Sequence, residues 1–284
     1  MVSRQARQLH REFTYTDSDF EAVRDVLHAK AGISLDDGKR DLVYGRLVRR
    51  LRAYRLGGFS EYLKLLDSSQ GEQEMVHFIN ALTTNLTGFF REPHHFDYLA
   101  KNVLPELAGR QAVDREYRIW SAGCSSGEEP YSIAMVVREC MPCADGLEVQ
   151  ILATDLDSSV VARASQGRYS SERIDGLSRP RVNKWFRHID GADPYDVQVD
   201  GSLKELIEFR QLNLVHDWPA KGPFDIIFCR NVMIYFDKPT RHRLFERYAD
   251  CLADGGYLFV GRSESVHTLS GRFELVGQSI YRKL

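Results

Sequence analysis

Apolar residues over the first eighty positions recur every three to four places. In "TDSDFEAVRDVLHAKAGISL", Phe20, Val23, Val26, Leu27 and Ala31 share one face behind polar capping residues, and Gly32 supplies a stop. In "KRDLVYGRLVRRLRAYRLGG", Val43, Leu47, Leu51 and Tyr54 stay in register until Gly57-Gly58. "FSEYLKLL" predicts a short helix and "EQEMVHFINALTT" a longer one. The pattern then changes. "YRIWSAG", "EVQILATDLD", "PFDIIFCRN" and "GYLFVGRSE" are short β-rich or apolar runs, the first three separated by helical or polar stretches. This alternation predicts an α/β fold whose doubly wound, mostly parallel sheet is covered on both faces. "FELVGQSIYRKL" reads as one more strand. Between 178 and about 210, turn residues alternate with strand-like pieces and predict a small antiparallel insertion. The expected division is an all-helical domain over 1–80, a linker over 81–98 and the α/β domain over 99–284.

Composition narrows the class. The 284 residues are 43% hydrophobic with a formal net charge of −2, which fits an ordinary globular protein. No apolar run approaches the roughly 20 residues that cross a bilayer, and the opening "MVSRQARQLHREFTYTDSDF" lacks an apolar signal region, so a cytoplasmic, monomeric protein is expected. Five cysteines are an odd number without framework spacing, which fits reduced thiols. "CMPC", Cys140 to Cys143, has no second Cys or His pair, and no metal is expected.

Ligands of doubly wound sheets bind beyond the carboxyl ends of the strands. The first such end is "WSAGCSSGEEPYSIA". Gly123 and Gly127 permit a sharp turn, but Glu128 and Glu129 follow at once and would repel a pyrophosphate. Two carboxylates there suit an ammonium or sulfonium, as in S-adenosylmethionine, while Glu128 also suits a helix first turn. The second end, "ATDLD", places Asp155 where a carboxylate can accept both hydroxyls of a ribose. The third, "FDIIFCRNVMIYFD", ends in Arg230, Asn231 and Tyr235, and "FRQLNLVHDWP" adds Asn213 as an adenine contact.

"TTNLTGFFREPHHF", "WSAGCSSGEEPYSIA", "ATDLD" and "FDIIFCRNVMIYFD", in this order, resemble the chemotaxis receptor methyltransferases of the CheR family over nearly the whole chain. The resemblance implies transfer of the methyl group of S-adenosylmethionine to glutamate side chains of membrane chemoreceptors, leaving S-adenosylhomocysteine. On the family's pattern Asn85, Thr87, Arg91, Glu129, Asp155, Asn213, Leu214, Arg230 and Asn231 form the cofactor site, and Arg91 and Tyr235 lie near the methyl and the acceptor. Arg91 suits either carboxylate, the acceptor's or the cofactor's. A glutamate is already ionised at neutral pH and an in-line attack on a sulfonium methyl needs neither nucleophile nor strong base, so the lack of a triad is expected. His94 and His95, next to the first motif, are read as structural or surface residues.

Lys39, Arg40, Arg46, Arg49, Arg50, Arg52 and Arg55 crowd one helix. A solvated face accounts for such a run, and the resemblance adds docking on the receptor's methylation region, with Arg46, Arg49, Arg50 and Arg52 as candidates. Nucleic acid is not expected as a partner, since the patch is short and the whole chain is not basic. Some family members grip a receptor's C-terminal pentapeptide through a glycine-rich loop in the β-subdomain. The glycines of "HIDGADPYDVQVDG" are spaced differently, which argues against that grip here.

Overall fold

The computed structural model describes residues 11–109, 116–141, 148–189, 196–218, 222–264 and 271–284. It separates into two units, residues 1–83 and 84–284.

The first unit holds α1 (Asp17–Ala31), α2 (Arg40–Ala53), α3 (Phe59–Leu66) and α4 (Gly71–Leu82). Thr16 and Asp19 close a reciprocal capping box before α1, and Gly32 ends it at φ 69°. Phe20, Val23, Leu27 and Ala31 are buried as one stripe. In α2 the stripe is Val43, Leu47, Val48 and Leu51, whereas Tyr54 falls past the helix end and stays 42% exposed. Arg55, at φ 52°, takes the left-handed position expected of the later glycines.

Three of the four arginines read as docking residues have partners inside this unit. Arg46 donates to the carbonyls of Leu82 (3.0 Å) and Thr83 (2.6 Å), satisfying the end of α4. Arg50 grips fully buried Glu74, which also accepts from Tyr62 Oη at 2.6 Å. Burial pushes the Glu74 carboxyl up, but the Arg50 and Tyr62 hydrogen bonds outweigh it and hold it below its usual value. Arg52 pairs with Glu12. Arg49 is exposed and makes no ion pair among the described residues.

The second unit opens with residues 84–92, then α5 (Pro93–Tyr98), a π-helical turn and α6 (Leu104–Gly109). β1 (Glu116–Ala122), α7 (Glu128–Cys140), β2 (Glu148–Asp155) and α8 (Ser158–Gln166) follow. β3 (Arg168–Ser170), α9 (Arg179–Trp185), β4 (Phe186–His188), β5 (Asp196–Val199), α10 (Gly201–Lys204) and β6 (Ile207–Gln211) come next. The chain ends with β7 (Phe224–Cys229), α11 (Lys238–Cys251), β8 (Leu252–Val260), β9 (Phe273–Gly277) and β10 (Ile280–Lys283).

Seven strands form the main sheet in the order β6-β2-β1-β7-β8-β10-β9, parallel as far as β8. Alternation along a strand sends Ile226 and Phe228 to one face and Ile227 and Cys229 to the other. Both faces are covered, so β7 is buried along its whole length. Two expectations change. "FELVGQSIYRKL" is not one strand but the β9–β10 hairpin, because Ser279 turns the chain at φ 59°. The insertion is shifted from 178–210: its sheet, β3-β5-β4, begins at Arg168, and Ile207–Gln211 pairs with β2 as the edge of the main sheet.

Candidate functional site

The turn from β1 into α7 is built by its neighbours. Gly123 and Gly127 adopt φ 98° and 97°, and a Cβ at Gly123 would collide with Val232. At Gly127 it would sit 2.8 Å from Tyr169 Oη and 2.9 Å from Ala164 Cβ. Ser125, which is not glycine, is held at φ 49° by donating its N–H to Asp155 Oδ2 (2.8 Å) and its Oγ–H to the Asn85 carbonyl (3.0 Å). Asp155 Oδ1 accepts from the Asp157 N–H at 3.0 Å. Burial pushes the Asp155 carboxyl up to about 6, against the pull of these backbone donors.

Each of the adjacent acids has its own guanidinium. Glu128 is fully buried; its Oε2 accepts from Ser126 Oγ at 2.7 Å, and its Oε1 lies 3.2 Å from Arg173 Nη1. Glu129 Oε1 accepts from Ser121 Oγ at 2.8 Å and Oε2 from Arg230 Nη1 at 3.0 Å. Burial raises the Glu129 carboxyl, with Arg230 and Ser121 opposing it. Glu128 therefore faces protein, with the Arg173 guanidinium beside it.

Residues 84–92 lie as a strap against these strand ends. Asn85 Nδ2 donates to Asp157 Oδ2 (2.7 Å), whose Oδ1 caps α8. The Thr87 carbonyl accepts from Arg173 Nη1 at 3.2 Å, and the Phe90 N–H reaches Ser132 Oγ at 3.0 Å. Arg230 Nη2 donates to the Arg91 carbonyl and lies 3.4 Å from Glu92 Oε2. Arg91 itself is exposed, with Nη1 donating to the Leu86 carbonyl at 2.8 Å. Tyr235, in the turn Met233–Tyr235, donates from Oη to the Thr84 carbonyl at 3.3 Å.

Asn231 sits at φ 59°, held by Glu264, whose Oε2 accepts the N–H groups of Asn231 (2.9 Å) and Gly261 (2.6 Å) while Oε1 accepts that of Ile234 (3.3 Å). Asn213 follows β6, next to the Leu212 N–H that bonds the Asp155 carbonyl at 2.9 Å. Leu214 follows directly; its side chain is buried in the core with Trp120, and its carbonyl accepts from Trp218 Nε1 and Arg247 Nη1. The site thus brings together Asn85, Thr87, Arg91, Glu129, Asp155, Asn213, Arg230, Asn231 and Tyr235, while the Leu214 side chain serves the core.

Sequence reasoning missed Asp157, Arg173 and Glu264. Glu264 had a signal, an acid four residues beyond the last apolar position of "GYLFVGRSE"; Arg173 had none, because it arrives from the turn Ser171–Arg173 after β3. His95 is fully buried; its Nε2 bonds the Gln278 carbonyl at 3.2 Å, and burial, then Arg230 and His94, drive its pKa down to about 3.

The donor set fits a nucleoside. Ser125 and Asp157 donate backbone N–H groups to different Asp155 oxygens and Leu156 adds a further backbone donor, while a carboxylate with about four acceptor sites still has room for a ribose hydroxyl. Buried acids open α7, where a pyrophosphate would need free amides. Fold and strand ends together define an α/β protein of the class I methyltransferase type.

Residues 18–83 match the family model "CheR methyltransferase, all-alpha domain", and residues 85–282 match "CheR methyltransferase, SAM binding domain". Chemotaxis protein methyltransferase 2 of Pseudomonas aeruginosa is 47% identical over 274 residues, covering 96% of this chain and 95% of that one. Chemotaxis protein methyltransferase of Escherichia coli (strain K12) is 42% identical over 275 residues, covering 96% and 93%. The counterpart from Borreliella burgdorferi is 37% identical over 272 residues, covering 94% and 95%. The chain belongs to the CheR methyltransferase family, and S-adenosylmethionine is its cofactor.

Proposed function

We propose that this protein transfers the methyl group of S-adenosylmethionine to glutamate side chains of membrane chemoreceptors, forming glutamyl methyl esters for chemotactic adaptation. The match to both family domains, together with relatives named chemotaxis protein methyltransferase across nearly the whole chain, carries this reading. The cofactor supplies an electrophilic sulfonium methyl; the residues of the chain bind, orient and exclude water. Asp155 takes the ribose hydroxyls, Asn213 the adenine, and Glu129 with Arg230, Asn231, Asn85 and Thr87 the amino-acid end. Arg91 orients a carboxylate and Tyr235 lies beside the acceptor. No general base is required, because the acceptor is already ionised at neutral pH. No helix of the described residues is long and apolar enough to cross a membrane. Pentapeptide capture rests on the stretch 188–201, of which residues 190–195 lie outside the described ones, and we do not assign it.

The test is transfer of labelled methyl from S-adenosylmethionine to chemoreceptor-containing membranes. Receptor label released by mild base supports an ester. Base-stable label, or none despite cofactor binding, overturns the glutamate assignment.

A further inference from the structure

We infer that Glu92, His94 and His95 form a binding site for a divalent transition-metal cation of the zinc type, which the methyl-transfer reading does not use. The three residues lie at the end of "TTNLTGFFREPHHF", where the strap enters α5. One carboxylate oxygen and one nitrogen from each ring lie within 4.8 Å of one another.

His95 carries the argument. It is fully buried, and its Nε2 lies 3.2 Å from the Gln278 carbonyl, which can only accept, so Nε2 holds the proton and Nδ1 is a bare lone pair. Burial also disfavours the charged ring. That lone pair faces Glu92 Oε2 at 3.5 Å, and neither atom has a hydrogen-bond partner among the described residues. Two buried acceptors aimed at one another are unfavourable unless a cation stands between them. Ligand atoms about 2.0–2.1 Å from a tetrahedral ion lie roughly 3.3 Å apart, so the observed spacing is close to one edge of a zinc tetrahedron.

His94 completes the set. Its Nε2 meets the same carbonyl at 3.2 Å, and its ring centroid lies 4.2 Å from that of His95. A ring N–H held by a backbone carbonyl fixes the tautomer and orientation of a metal-binding imidazole. His94 is only half-buried, which gives an ion a way in from solvent. The Arg262 N–H bonds the other Glu92 oxygen, Oε1, at 3.4 Å and leaves Oε2 to the ion. The Arg230 guanidinium, 3.4 Å from Oε2, opposes a cation, but Glu129 and the Arg91 carbonyl keep it paired when the ion takes that oxygen. Two imidazoles with one carboxylate select zinc, copper or nickel over calcium and magnesium, which take oxygen ligands.

The test titrates the chelator-stripped full chain with Co2+ as a spectroscopic probe and with Zn2+ in calorimetry, beside Glu92→Gln and His94→Gln. The unaltered protein is expected to bind one Co2+ with the strong visible absorption of a four-coordinate ion, to release it to Zn2+, and to melt at a higher Tm with Zn2+ than in chelator. Each variant is expected to bind at least about tenfold more weakly. His94→Gln, at a half-buried position, is expected to keep the chelator Tm of the unaltered protein, so that its loss of metal is read on a folded chain. Affinity within twofold of the unaltered value in either variant, thiolate-to-cobalt charge-transfer bands, or no stoichiometric binding overturns the inference. Methyl transfer does not enter the readout, so neither result bears on the proposed reaction.

Discussion

Asp155 joins a scaffold role that the structure shows to the ribose contact proposed above. Its oxygens hold the Ser125 and Asp157 amides, and its pKa stands near 6 because it is buried. Charge-assisted hydrogen bonds contribute about 1.5–3 kcal/mol each, so Asp155→Ala is expected to weaken S-adenosylmethionine binding tenfold to hundredfold by calorimetry. In the unaltered protein affinity should be steady above pH 7 and fall as pH drops through about 6, with a flatter profile in Asp155→Asn. His95 makes a different pH statement. Its folded pKa, about 3, lies below the ordinary 6.5, so between those values the unfolded chain binds the proton and the native state does not. Stability is present above 6.5 and is lost as pH falls through that window, by about 2 kcal/mol between pH 7 and 5 from this one group. Urea melts at the two pH values should show a correspondingly smaller difference in His95→Gln, and an equal difference would refute the assignment.

At the scale of elements, the turn between β1 and α7 is shaped by segments far away in sequence: Thr154 and Asp155 at the end of β2, Tyr169 from β3, and Val232 after β7. Gly123 therefore carries two constraints, its φ of 98° and the Val232 methyl. Gly123→Ala is expected to cost about 1–3 kcal/mol and to weaken cofactor binding. Adding Val232→Ala should recover the collision but not the backbone strain, so a partial rescue in thermal melts is the expected result. The helix rules behave similarly. The polar cap of α1 proves to be Thr16 and its Gly32 stop stands as read, whereas α2 ends four residues before Gly57 because Arg55 accepts the left-handed position.

Over the whole molecule, the basic run of α2 separates into residues with different tasks. Arg50 neutralises buried Glu74, and removing one partner of such a pair leaves an uncompensated charge. Arg50→Ala is expected to destabilise the helical unit by about 3 kcal/mol in urea melts. Arg49→Glu should leave Tm unchanged, and if the proposed receptor docking holds, it should lower receptor methylation without altering cofactor Kd. Unchanged methylation kinetics in Arg49→Glu would reduce this face to a solvated surface.

Periodicity by itself determined the helical first unit, the parallel sheet and the strand tips, because apolar spacing and turn residues are local properties of the chain. The glycine turn, Asp155 and the "CRN" strand end were legible for the same reason: in a doubly wound sheet the ends of consecutive strands meet at one edge. Only the tertiary structure decided which charges meet. Arg173 reaches Glu128 from the turn after β3, Arg230 reaches Glu129 across 101 positions, Glu264 closes on the Asn231 turn, and Arg50 finds Glu74. Such pairings depend on long-range packing and desolvation, and neither leaves a periodic trace in the sequence.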